Sequence, residues 1–146
     1  MPLAVLVSDG FAVASVDYRL SPVAQFPAQI HDTKAAIHFL RAKQSDYGYD
    51  ARAITISGSS AAGLLAGLVG VTNGNKQLEG TLGDSQEQSS DVQAIVDYSG
   101  TSNFLTILKQ STPHGIGVSV PALQFLLGAQ PEDTPDLAKL ASRFSM

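Results

Sequence analysis

The segment Ile54-Thr-Ile-Ser-Gly-Ser-Ser-Ala-Ala-Gly-Leu-Leu-Ala66 constrains this chain more than any other. It begins with β-branched residues suited to a strand, breaks at Gly58, and continues from Ala61 to Val71 almost wholly in Ala, Gly, Leu and Val. That composition predicts a helix packed tightly against a sheet. A strand that becomes a helix this abruptly leaves Ser60 on the corner, above the carboxyl end of the sheet. Its hydroxyl there shares a space with the helix N-terminus and with the amide of Ala61, which can stabilise a developing oxyanion. Such an elbow leaves no room for bulky side chains at Gly58 and Ala62. Taken alone, the motif is also compatible with a plain tight turn between strand and helix. A phosphate-binding loop fits less well, because no Lys follows the glycines and no Gly-x-Gly-x-x-Gly is present.

The surrounding pattern gives the turn a context. Three segments rich in β-branched residues, Ala12 to Leu20, Ala53 to Ser57 and Val92 to Ser99, read as strands. Between the first two, Pro27 to Tyr47 carries one stripe of Ile30, Thr33, Ile37 and Leu40 and another of His31, Lys34, His38 and Arg41, which predicts an amphipathic helix. Pro27 suits its first turn and Gly48 its stop. Asn73 and Gly74 end the helix that follows Ser60, and Gly80 to Asp91 reads as a long polar surface loop. Beyond Ser99 the pattern predicts short helices at Asn103 to Lys109, Pro121 to Leu127 and Pro135 to Ala141, the last with Thr134 as N-cap. Strands alternating with helices indicate the α/β class, with a parallel sheet of about three strands flanked by helices. At 146 residues the chain has the size of one domain.

Composition narrows the partners. A formal charge of −4 without any Lys or Arg run gives no source for phosphate-driven nucleic-acid binding. The absence of cysteine excludes disulfides, thiolate metal sites and cysteine nucleophiles but leaves the compartment open. The apolar stretches Ala4 to Val7 and Leu64 to Val71 fall far short of the ~20 residues that cross a bilayer. The first has no basic region ahead of it, so the sequence reads as soluble and without an export signal.

The elbow does not stand alone. Asp17-Tyr-Arg-Leu-Ser-Pro22, Phe26-Pro-Ala28, Tyr47-Gly48 and the elbow follow one another in an order and spacing that resemble the esterase/lipase branch of the α/β-hydrolases. The likeness is greatest to the bacterial feruloyl and acetyl-xylan esterase-like (BD-FAE-like) group. It continues through Leu78 to Gly83, Gln88 to Ala94, Asp97 to Gly100, Leu126 to Gly128 and Ala141-Ser142, nearly the whole chain. The resemblance implies a partial α/β-hydrolase fold and hydrolysis of small-molecule or carbohydrate esters by Ser60, without metal or cofactor.

Four positions depart from that group's usual pattern: Val23 stands for Glu, Ala62 for Gly, Leu64 for His and Asn103 for Asp. Members also carry a strand ending in a His-Gly-Gly loop that completes the oxyanion hole, and nothing before Gly10 resembles it. In the group the triad acid and histidine follow two later strands, so both partners are expected outside this sequence, which reads as truncated at both ends. The family's preceding strand lies between the first two strands seen here. Its absence predicts either direct pairing of the flanking strands or open edges.

Residues within the chain offer one substitute. His114 follows Ser60 with Asp97 between them, which meets the chain order of a triad, though His114 is expected in an irregular loop. His31 and His38 are seven apart on the polar stripe, too far for an i, i+4 metal pair, and are expected in solvent. Asp97 is equally suited to bonding a neighbouring loop, and Arg19 and Asp32 to a structural ion pair. Two functions therefore stand against each other. One is a serine ester hydrolase whose base comes from elsewhere; the other is an inactive hydrolase-like module that binds an acyl or sugar ligand.

Overall fold

The computed structural model describes residues 4–142. In chain order it contains α1 (Ala4–Ser8), α2 (Ala28–Ala42), α3 (Gln44–Tyr47), β1 (Thr55–Ser59), α4 (Ala61–Val71), β2 (Ala94–Tyr98), α5 (Ile107–Gln110), α6 (Pro113–Leu127) and α7 (Pro135–Leu140). A single 3-10 turn, Lys76–Leu78, follows α4. Strands β1 and β2 pair in parallel, with Thr55 opposite Ala94 and Ser59 opposite Tyr98, and α4 forms the crossover between them. The α/β class and the parallel sheet are as the sequence predicts.

Helix α4 is the centre of the structure. From Gly63 to Val69 every residue is buried, because the helix is wedged between α2 and the sheet. Its apolar composition all round is what such a position requires. The approach to the sheet is set by missing side chains. A Cβ on Gly70 would lie 2.1 Å from Ile95 Cδ1, and one on Gly63 would lie 2.3 Å from Asp97 Oδ1. Phe26, Ile30 and Ile37 cover the other side of α4, and Leu78, Val92 and Phe104 close the core around it. Leu123 and Leu127 of α6 and Ala138 of α7 join the same cluster.

Four expectations are corrected. The segment Ala12 to Leu20 pairs with no strand among the described residues, so the sheet has two strands and not about three. Strand identity needs a partner, and this segment is instead tied to α2 through Arg19, whose amide and guanidinium grip the Asp32 carboxylate at 2.7–3.1 Å. Of the two outcomes predicted for the gap, open edges are the one found. Second, the Thr-Pro-His-Gly-Ile-Gly segment is not an irregular loop but the start of α6. Thr112 Oγ1 accepts from Gly115 N at 3.1 Å and Pro113 occupies the first turn, where its missing N–H costs nothing. These signals outweigh two glycines and Pro121, which lies inside the helix.

Third, the polar stripe of α2 is not solvated. Lys34 is fully buried and His38 is 3% exposed. Lys34 Nζ donates to Thr72 O at 2.9 Å and to Glu79 Oε2 at 2.9 Å, while His38 Nε2 lies 2.8 Å from Glu79 Oε1. The Glu79 side chain folds over α2 at this point, and Gly80, in a left-handed conformation, fits its backbone against the His31 ring. Fourth, the long helix ends earlier than Tyr47, passing through Lys43 into the separate short turn α3, which Gly48 stops at φ 72°.

Candidate active site

Ser60 joins the last residue of β1 to the first of α4. Its backbone, at φ 56° and ψ −118°, occupies a region that residues with a side chain rarely enter. Two hydrogen bonds hold it there: Ser60 N donates to Tyr98 O at 2.8 Å, and Ser60 O accepts from Leu64 N at 3.0 Å. The first continues the β ladder by one residue and the second is the first helical bond, so Ser60 belongs to both elements. Crowding comes from Gly58, where a Cβ would sit 2.1 Å from Ala62 O. That contact is with the backbone of residue 62, so the Ala62 methyl is not what tightens the turn. Ser60 and Ala61 are both exposed. As the first residue of α4, Ala61 has an N–H with no intrahelical acceptor, and it carries the positive end of the helix dipole.

Asp97 is half-buried in β2 and its Oδ1 accepts from Gly100 N at 2.8 Å. The carboxylate occupies a slot between Gly63 and Gly100; a Cβ on Gly100 would lie 2.4 Å from the Gly63 carbonyl carbon and 2.5 Å from Asp97 Oδ1. It thereby shapes the turn that leaves β2. His114 is exposed at the second position of α6, and no hydrogen bond joins its ring to Ser60 or Asp97 among the described residues. The chain order Ser60, Asp97, His114 is thus not assembled as a hydrogen-bonded triad.

The turn after β2 carries no catalytic candidate in the sequence, where Asp97 to Gly100 and Asn103 enter the family resemblance without a role assigned to the turn. Ser99 has φ 58°, a second non-glycine residue in the left-handed region. It opens a groove of about 350 Å³ lined by Ser99, Gly100, Thr101, Ser102, Asn103, Ile107, Gln110 and Ser111. Because Ser60 N bonds the carbonyl of Tyr98, the groove begins one residue from the Ser60 elbow. Only the repeated small and hydroxylated residues from Ser99 to Asn103 hint at it in the sequence.

A strand, a strained serine, a helix of small residues and a second parallel strand in this register agree with one family, whose pattern matches residues 1–145. The chain belongs to the BD-FAE family. Among its relatives, Esterase LipQ of Mycobacterium tuberculosis is 31% identical over 141 residues, 96% of this chain and 32% of LipQ. Two solved structures share the fold closely. The bifunctional GH43-CE of Bacteroides eggerthii superposes with a TM-score of 0.85 at 35% identity, over 97% of this chain and 19% of that one. A truncated carbohydrate esterase from gut microbiota superposes with a TM-score of 0.85 at 34% identity, over 96% of this chain and 52% of that one. The BD-FAE chain described here therefore spans about half or less of each of these relatives.

Proposed function

We propose that this BD-FAE chain carries the nucleophile of a carboxylic ester hydrolase acting on acylated carbohydrates, with Ser60 as that nucleophile. The observation that carries the reading is the Ser60 backbone at φ 56° and ψ −118° between β1 and α4. Strain of this kind costs on the order of 1–3 kcal/mol and persists where surrounding structure enforces it, typically at a reacting group. The sugar side of the reading is supported by the carbohydrate esterase among the solved relatives.

In the proposed reaction Ser60 Oγ attacks the acyl carbon as its proton passes to a base from outside the described residues. The carbonyl electrons move onto oxygen, where the Ala61 N–H donates to the oxyanion. Collapse breaks the bond to the alcohol, which leaves with the proton from the base, and water then hydrolyses the acyl-serine. Without a hydrogen-bonded imidazole, Ser60 in this chain is a slow nucleophile.

Treatment with a fluorophosphonate, followed by intact mass measurement, tests the assignment. Slow formation of one adduct that disappears in Ser60→Ala is the expected result. An adduct that survives Ser60→Ala removes Ser60 from the chemistry, and none at all on a folded protein means that this chain keeps the hydrolase scaffold without its chemistry. His114→Ala should leave the labelling rate unchanged, since its ring stands in solvent without contact to Ser60.

A further inference from the structure

The groove that begins at Ser99 has an unusual lining. Hydroxyls come from Ser99, Thr101, Ser102 and Ser111, carboxamides from Asn103 and Gln110, and one aliphatic face from Ile107. Not one of its eight residues carries a charge. A fatty acyl chain needs a predominantly apolar slot, since each polar group it covers loses its water without a replacement bond. An anionic ligand is held best by a cationic side chain, which none of the eight lining residues supplies. Neutral hydroxyls both donate and accept, and so do the hydroxyl and carboxamide groups that line the groove.

Part of this lining is held in place by bonds within the protein. Gly100 N is tied to Asp97 Oδ1 at 2.8 Å, Asn103 Oδ1 accepts from Leu105 N at 2.9 Å, and Ser111 Oγ donates to Ile107 O at 2.7 Å. Its volume of about 350 Å³ lies at the lower end of small-ligand pockets, the size of one or two sugar rings. Resting on the reading of Ser60 as nucleophile, we propose that this groove seats the alcohol half of the ester, and that it selects a neutral, hydroxyl-rich ring over a charged or purely aliphatic one. What joins the groove to the elbow is its first residue, Ser99, which follows the Tyr98 whose carbonyl accepts from Ser60 N at 2.8 Å.

Titration of the whole 15N-labelled chain with methyl β-glucopyranoside and, separately, with methyl β-glucuronide tests the proposal without requiring turnover. The two probes differ only at the sixth carbon. Expected are amide shifts confined to residues 99–103 and 107–111 with the neutral glycoside, and weaker binding of the uronate. Ser102→Val and Gln110→Leu remove a polar side-chain group that makes no hydrogen bond among the described residues, and each should weaken the neutral probe about fivefold, the worth of one hydrogen bond. Equal binding of both probes, shifts elsewhere, or none at tens of millimolar overturns the groove. Fluorophosphonate labelling of the same sample separates the two readings. Sugar shifts without labelling keep the groove and remove Ser60, whereas labelling without sugar shifts does the reverse.

Discussion

Ser60 sits where the chain pays a conformational penalty that a glycine would avoid. Its amide and carbonyl are both committed, to Tyr98 O and Leu64 N, so the backbone cannot relax without breaking either the ladder or the first helical turn. Ser60→Gly should therefore raise stability above that of Ser60→Ala by about 1 kcal/mol, while both lose the fluorophosphonate adduct. Urea denaturation of the two variants decides it; equal midpoints would show that the serine is not strained. At Gly58 the reverse applies, since a methyl would enter the space of Ala62 O at 2.1 Å. Gly58→Ala should cost about 3 kcal/mol, visible as a lowered melting temperature. Both positions were legible in the sequence because a small residue two before a serine, between a strand and an apolar helix, has few geometric solutions. The Gly63, Asp97 and Gly100 slot was not, since it joins residues 34 and 37 positions apart that no local pattern connects.

At the scale of elements, a buried polar cluster joins α2 to the segment after α4, beside the apolar core that Leu78 shares with Ile30 and Ile37. Lys34 is wholly inside, with its charge met by Glu79 and the carbonyl of Thr72. Burial by itself pushes the Glu79 carboxyl up, but the hydrogen bonds to Lys34 and His38 and the Lys34 charge outweigh it and hold the group below its ordinary value. A carboxyl lowered in the folded state contributes stability that is fully present above its unfolded pKa of 4.5 and lost as pH falls through the lower folded value. Acid unfolding should thus begin below that pH in the native protein, and Glu79→Gln should flatten the acid limb. The same change leaves the Lys34 ammonium inside without a counter-charge, at a cost on the order of 2 kcal/mol near neutral pH, less than for a fully buried pair because Glu79 is 28% exposed. Chemical denaturation of both proteins from pH 3 to pH 7 measures both effects; parallel pH profiles would rule out the role given to Glu79. Helical periodicity identifies Lys34 and His38 as the polar face, but burial of that face depends on a glutamate 45 and 41 residues away, which periodicity does not see. The residues from Ala12 to Leu20 show the same limit in a strand: their composition is right, and pairing is a property of the neighbour. Arg19 and Asp32 were readable because opposite charges near a helix start have an obvious partner in each other.

Viewed as a whole, the molecule packs α4 on one face of its sheet and no other helix on the opposite face among the described residues, although Ile95 on the α4 side is itself 41% exposed. Ile95, Asp97 and Gly58 point toward α4, so alternation sends Ala94, Val96 and Tyr98 of β2 and Thr55, Ser57 and Ser59 of β1 the opposite way, and all six are exposed. Parallel sheets are ordinarily covered on both faces, because their strands offer apolar side chains to each. Here Val96 is 38% and Tyr98 43% exposed, and Phe11, Leu20 and Val23 add further apolar surface along the unpaired segment. Surface of this kind drives association once it forms a contiguous patch, and the open strand edges supply unpaired backbone groups to the same contacts. The chain on its own should therefore associate as its concentration rises and should bind an apolar dye. Val96→Lys places a charge on the open face without touching α4, so it should suppress association while changing stability by less than about 0.5 kcal/mol. Sedimentation velocity across a concentration series, paired with urea denaturation, separates the two quantities. If the native chain stays monomeric throughout the series, the open face is not sticky enough to matter, and the polar side chains of β1 are what protect it. If Val96→Lys unfolds the protein, Val96 is a core residue and the open face has been assigned to the wrong side of the sheet.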